Sequence, residues 1–255
     1  MTVAPAYRRS SGRLRSLSVV FPAFNEEANI VPAVQAALDE LDVRGIPGEV
    51  IVVDDGSQDR TAAEVAGVAR LDQRVRGVSH TDNLGYGAAL MRGVRESRCE
   101  HIFLTDADLQ FDVRELDRLE AYTDDYDIIV GYRHRRADPL HRRVNAWAWN
   151  AVVNRMFRLG VRDVDCAFKV FHRRVFERIG VASDGAFVNS EILARARAAG
   201  FRVKEVPVSH FPRRSGVQTG AHPRVIGRAW VELGAMYADL RGLSPQASGP
   251  DTVGS

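Results

Sequence analysis

The sequence predicts an α/β fold, an open, doubly wound, mostly parallel sheet with helices on both faces. Three observations lead there. Short apolar runs alternate with stretches of about 10 to 15 residues whose apolar positions recur at helical spacing, the pattern of βαβ units covered on both faces. Acidic and turn-forming residues cluster just after the apolar runs, where an open α/β sheet places its ligand crevice. The chain has 255 residues, 45% of them hydrophobic, enough to bury a sizeable core as one large domain.

The elements follow in order. "SLSVVFPAF" reads as a buried strand, and "EEANIVPAVQAALDELD" as a helix with apolar positions on one side. "EVIVVDDGS" is a second buried strand ending in turn residues, and "DRTAAEVAGVARLD" a second helix. "VRGVSH" is a short third strand and "GYGAALMRGVRESR" a third helix. "HIFLTD" and "YDIIVGY" are the fourth and fifth strands. Residues 16 to about 133 thus form the doubly wound half of one domain spanning 16–241, and residues 134–241 its second half. "LHRRVNAWAWNAVVNRMFRLG" is a basic helical pattern with Leu140, Val144, Trp147, Ala151, Val152 and Met156 on one side. "FVNSEILARARAAG" reads as a helix, "FRVKEVPVSHF" as a returning strand, and residues 223 to 240 as a last helix carrying Trp230 and Tyr237. Residues 1–15 are expected to be flexible, and 242–255 a disordered tail.

Composition narrows the function. The net charge is +2, so no strong overall field points to nucleic acid. Lys169 and Lys204 are the only lysines, and the remaining cations are arginines, whose planar fork suits phosphates and carboxylates. Cys99 and Cys166 have neither metal-ligand nor secreted-scaffold spacing, which favours a reducing, cytoplasmic setting. No stretch reaches the roughly 18 apolar residues a membrane span needs, and the N-terminus lacks the apolar core of a signal peptide.

The acidic strand ends carry the chemistry. Glu26 follows the first strand, Asp54 and Asp55 the second, and Asp106 and Asp108 the fourth, so the fold brings all of them to one crevice. Two carboxylates one residue apart at a strand end suit a shared hard cation, Mg2+ or Mn2+, which completes its shell with water and substrate phosphates. Asp54 also fits a turn and Asp59 a helix cap, with Gly56 allowing a left-handed turn between them.

"FPAFNEE", "VVDDGSQDRT", "NLGYGAALMRGV", "TDADLQ", "VGYR" and "EVPVSHFPRRSG", in that order, resemble family 2 glycosyltransferases of the A-type (GT-A) fold, most of all the polyprenyl-phosphate (dolichyl-phosphate) mannose or glucose synthases. The resemblance runs from residue 17 to about 220. A dinucleotide-binding fold would need G-x-G-x-x-G where "PAFNEE" stands.

The resemblance implies roles. Pro22, Phe24, Glu26, Val53 and Asp55 stand where such enzymes hold the base and ribose of a nucleotide sugar, with Phe24 replacing a common tyrosine. Asp106, Ala107, Asp108 and Gln110 match D-A-D-x-Q, whose acids and glutamine surround the metal and its diphosphate. A cation there would stabilise the charge left on the nucleotide as the anomeric C–O bond breaks. The implied acceptor, polyprenyl phosphate, is already an anion and needs positive groups rather than a general base. Arg133 matches the arginine after the fifth strand, and Arg142 or Arg143 a second acceptor-phosphate position. Arg213 matches a mobile-loop arginine that closes over donor and acceptor. Arg135, Arg136, Arg155 and Arg158 read better as a solvated helix face.

The sequence departs from the pattern at "GVQTG", where a lysine is common, and at "DVDCAFKVF", which leaves the donor, GDP-mannose or UDP-glucose, open. Relatives of this kind often carry C-terminal membrane spans; none is expected here. The expected location is the inner face of the cell membrane, reached through amphipathic surface helices or a separate membrane-anchored partner. A rival reading, transfer to a soluble hydroxyl, would need Asp163, Asp165 or Glu191 as base. A third is a non-catalytic nucleotide-sugar-binding subunit.

Overall fold

The computed structural model describes residues 14–135, 140–213 and 223–242. Its strands are β1 (Leu17–Ala23), β2 (Gly48–Asp54), β3 (Val75–Ser79), β4 (His101–Thr105), β5 (Ile128–Arg135), β6 (Phe168–His172) and β7 (Val203–Ser209). Its helices are α1 (Ile30–Arg44), α2 (Thr61–Leu71), α3 (Tyr86–Glu96), α4 (Leu116–Glu120), α5 (Leu140–Phe157), α6 (Arg174–Arg178), α7 (Val188–Ala198) and α8 (Pro223–Gly242). All seven strands belong to one sheet in the order β3-β2-β1-β4-β6-β5-β7. The pairs β1–β2, β1–β4, β2–β3 and β5–β7 are parallel.

The exception is β6, which lies antiparallel between β4 and β5. The sequence reading gave "DVDCAFKVF" no strand and left β5 as the continuation of the parallel run. Lys169 interrupts the apolar stretch there, and that interruption hides the strand. Its alternation is nonetheless regular, with Phe168 and Val170 in one core and Phe171 in the other.

Successive strand residues feed opposite faces, as the period of two requires. Val19, Phe21, Val50, Val52, Phe103 and Ile129 pack beneath α1, α2 and α4. Val20, Ile51, Val53, Ile102, Leu104 and Val130 pack against α3, α5, α6, α7 and α8. Helix α1 buries Ala33, Val34, Ala37, Leu38 and Leu41, then stops at Gly45, whose φ of 61° lets its N–H and that of Ile46 return to Asp42 O and Leu41 O.

On α5 the inward face carries Trp149, Asn150 and Val153, whereas Val144, Trp147 and Ala151 from the predicted stripe face outward. Trp149 meets Trp230 of α8 edge-to-face at 5.2 Å. Among the described residues no helix is long and apolar enough to cross a membrane.

Candidate active site

The carboxyl ends of β1, β2 and β4 open on one side of the sheet. There the loops after β1 and β2 are laced together. Asn25 N donates to Ser57 Oγ (2.9 Å), Gln58 N to Asn25 Oδ1 (2.9 Å), Glu27 N to Asp59 Oδ2 (3.2 Å), Arg60 N to Glu27 Oε2 (2.9 Å) and Glu26 N to Thr61 Oγ1 (2.8 Å). Asn25 takes φ 55°, a left-handed conformation that asparagine tolerates better than most residues. The result is a rigid rim that fixes Glu26 over the crevice.

Asp54 accepts from Ser57 N (3.1 Å), and Asp59 accepts the Thr61 N–H (2.9 Å) at the start of α2, so both take the turn and capping roles their sequence suggested. Gly56 between them has φ 70°, and a Cβ there would collide with the backbone of Asp82. Asp55 receives Leu84 N (3.0 Å) and Gly85 N (2.8 Å) and lies 2.7 Å from His80 Nδ1. It therefore holds the loop that leads into α3.

At the end of β4 the chain turns sharply. Ala107 packs into the core, and Leu109 adopts φ 60°, uncommon for a residue with a side chain. This turn sets Asp108 Oδ1 under the Gln110 N–H (3.0 Å). Gln110 in turn binds the segment after β7: its Nε2 donates to Phe211 O (3.0 Å) and its carbonyl accepts from Phe211 N (2.8 Å). Burial, reinforced by the charge of Asp108, pushes Asp106 up to about 7. Burial likewise raises Asp108 and Glu26. Three carboxylates crowded out of water call for a cation.

Arg213 supplies one. Its guanidinium pairs with Glu26 Oε1 and lies 3.4 Å from Asp108 Oδ2. The donor set also fits Mg2+ or Mn2+, since two hard carboxylates, Asp106 and Asp108, would hold the ion while a bound diphosphate and water complete its shell. Among the described residues no group of three His, Cys, Asp or Glu side chains is placed to hold a metal ion.

Arg133 is the arginine expected on the acceptor side. It forms a two-pronged pair with Asp163, Nε to Oδ2 and Nη2 to Oδ1, both 2.7 Å. Arg142 and Arg143 have side chains outside the described residues, as do all residues from 214 to 222. Glu191 is buried, accepts from Ala182 N and Ser183 N (2.8 Å to the latter), and pairs with Arg195. Of the predicted nucleotide contacts, Pro22 and Phe24 are partly exposed, whereas the Val53 side chain lies wholly in the core and could offer a ligand only its backbone.

Three residues near Asp106 escaped the sequence reading. Tyr86 OH donates to Asp106 Oδ1 (3.2 Å), and Lys169 Nζ donates to Asn189 Oδ1 (2.8 Å). The available signal was Lys169 itself, one of two lysines in the chain and set within an apolar run.

Residues 18–180 match the model of glycosyl transferase family 2. The chain is 37% identical over 208 residues to Glycosyltransferase AglD of Haloferax volcanii, covering 77% of this chain and 33% of that protein. It is 32% identical over 206 residues to an undecaprenyl-phosphate 4-deoxy-4-formamido-L-arabinose transferase of Pseudomonas aeruginosa, covering 78% and 59%. The chain thus spans between a third and three-fifths of these relatives' lengths. Its fold matches glucosyl-3-phosphoglycerate synthase from Mycobacterium tuberculosis, solved with Mn2+ and uridine-diphosphate-glucose, with a TM-score of 0.60 at 20% identity over 93% of this chain and 81% of that one. With the motifs in order and the acidic crevice assembled at the strand ends, the chain belongs to glycosyl transferase family 2.

Proposed function

We propose that the protein transfers a hexose, with inversion, from a nucleotide-diphosphate sugar to a polyprenyl phosphate at a membrane surface. The observation that carries this reading is the meeting of Asp106 and Asp108 at the mouth of β4 with the fixed Arg133 charge beside them. A divalent ion bound there would neutralise the diphosphate as it leaves. Glu26 and the laced rim hold the nucleoside end, and Arg213, leaving Glu26 as donor enters, screens the phosphates. A phosphate oxygen of the acceptor attacks the anomeric carbon from the face opposite the nucleotide. One C–O bond forms, the bond to the diphosphate breaks, and its electron pair stays on the nucleoside diphosphate.

No proton has to be removed from such an acceptor, which suits the side chains present. Asp163 is committed to Arg133, and Glu191 to two backbone amides and Arg195, which lower its pKa against burial. Two of the three candidate bases for a hydroxyl acceptor, Asp163 and Glu191, are thus already engaged by cations. Membrane contact is supported by Trp147 and Val231, 72% and 73% exposed, with Val144 and Trp230 beside them in sequence at 53% and 46%.

The test is a transfer assay with purified protein, Mn2+ or Mg2+, a panel of nucleotide sugars including GDP-mannose and UDP-glucose, and a short-chain polyprenyl phosphate. Label appearing in the lipid fraction is the expected result. Label reaching only soluble hydroxyl acceptors would overturn the acceptor assignment.

A further inference from the structure

We infer that Glu191 is a positioning residue for the metal corner: it clamps the backbone of residues 182–185 onto the first turn of α3 and so fixes Tyr86 against Asp106. The inference rests on the metal-dependent reading above and deepens it.

Glu191 stands in the first turn of α7, is 2% exposed, and directs both oxygens at the segment that precedes its own helix. Oε1 and Oε2 lie 3.1 and 3.2 Å from Ala182 N, Oε2 accepts from Ser183 N (2.8 Å), and Arg195 Nε donates to Oε1 (2.7 Å). All of these partners are donors, which suits a carboxylate and not the amide of a glutamine. A general base would need an oxygen turned toward the acceptor; here both are turned toward the chain.

The clamp holds the residues that follow. Asp184 O accepts from Ala88 N (3.0 Å), one of the amides that the start of an α-helix leaves without an intrahelical partner. The two backbones meet with no side chain between them. A Cβ on Gly85 would lie 2.7 Å from Asp184 O, and one on Gly87 would lie 2.6 Å from Ser183 O and from the Asp184 carbonyl carbon. The glycines of "GYG" at the start of α3 are thus the shape that the 182–185 backbone requires.

Tyr86 is the residue between those glycines. Asp55 grips the chain just before it, through Leu84 N and Gly85 N, and the clamped segment grips it just after, through Ala88 N. Held from both sides, Tyr86 sets its hydroxyl 3.2 Å from Asp106 Oδ1 and pins that oxygen. Glu191 therefore governs, through the backbone, where Asp106 points.

The experiment measures Mn2+ binding to the full chain by electron paramagnetic resonance, with UDP and with GDP, for the wild type, Glu191→Gln, Gly87→Ala and the double variant. Glutamine turns an NH2 group on donors that the carboxylate accepts from. Alanine at 87, which a helix otherwise prefers to glycine, pushes the same segment away from the other side. Each single variant is expected to bind Mn2+ roughly tenfold more weakly, the lower end of what groups that orient metal ligands contribute. The double variant should lose little more than either single one, because both release one contact. Turnover in Glu191→Gln should recover as Mn2+ is raised. Wild-type Mn2+ affinity in folded Glu191→Gln overturns the inference, and so does a double variant whose losses multiply to about a hundredfold. A turnover loss that excess Mn2+ leaves in place would make Glu191 a base and also overturns it. Should Glu191→Gln fail to fold, wild-type affinity in Gly87→Ala overturns it instead. A wild-type protein that binds no Mn2+ with either nucleotide overturns the metal-dependent reading itself, a result distinct from normal binding that the variants leave unchanged.

Discussion

Arg213 is ion-paired with Glu26 across the crevice, joining the segment after the last strand to the loop after the first. The guanidinium stands in for a cation among three carboxylates. Arg213→Ala is therefore expected to raise the Mn2+ affinity of the nucleotide-free protein, because a competing charge is gone. Turnover should fall by about 100-fold or more, the usual loss when a donor to developing charge is removed. Calorimetric metal titration alongside steady-state kinetics checks both; a fall in metal affinity would contradict the counterion role.

Asp108 is kept charged at a cost in stability. Burial holds both carboxyls above their ordinary range, and the charge of Asp108 raises Asp106 further, so the folded state carries their repulsion at neutral pH. Asp108→Asn keeps an acceptor for the Gln110 amide and removes one charge. The metal-free variant should melt about 2–4 °C higher, as about 1 kcal/mol does in a chain of this size, while transfer is abolished. Differential scanning calorimetry without metal measures the gain, and an unchanged or lower Tm would count against it.

Arg133 and Asp163 must be tested together. Removing Arg133 alone takes the guanidinium from a buried carboxylate, so Arg133→Ala should cost about 3–5 kcal/mol and blur any effect on the acceptor. The double variant Arg133→Met/Asp163→Leu should recover most of that stability. It should still fail to use polyprenyl phosphate while hydrolysing the donor slowly. Denaturant unfolding and a two-product assay separate these outcomes.

Trp147 is almost entirely outside the core, so Trp147→Ala should change stability by no more than about 0.5 kcal/mol. Its binding to anionic vesicles should weaken severalfold. Co-sedimentation measures this, and undiminished binding would remove α5 from the membrane contact.

His101 ties stability to pH. It is buried against His172, and neither ring nitrogen has a hydrogen-bond partner among the described residues. Burial, with the neighbouring His172, lowers it from 6.5 to about 4. The unfolded chain then binds the extra proton between these values, so stability falls as pH drops through that window, by about 3 kcal/mol at pH 4. His101→Phe should flatten this part of the profile; an identical slope in both proteins would assign the loss to carboxylates such as Asp127 and Glu49, which burial alone would raise but whose hydrogen bonds and arginine partners hold them low.

The acidic strand ends were legible because an open α/β sheet puts its crevice at a known place, and Glu26, Asp106 and Asp108 needed only that rule. The capping by Asp59 and the turn at Gly56 followed from local chemistry. What escaped was non-local. Strand β6 looks like an interrupted apolar run until β4 and β5 close on both sides of it. The commitment of Asp163 to Arg133 joins positions 30 residues apart, and no spacing rule announces it. On α5 the apolar stripe was visible but splits in the fold: Val144, Trp147 and Ala151 lie outside, Val152 and Met156 pack against the core, and the polar Asn150 turns inward, where its Oδ1 accepts from Val164 N (2.9 Å).

The antiparallel strand has a consequence for biosynthesis. A nascent chain that stops before Phe168 presents His101–Thr105 as a bare, mostly apolar edge, the sort of surface that recruits a neighbouring polypeptide. Stalled or prematurely terminated products should therefore clump rather than accumulate as a small nucleotide-binding fragment, and any attempt to shorten the enzyme must retain the segment that seals this seam.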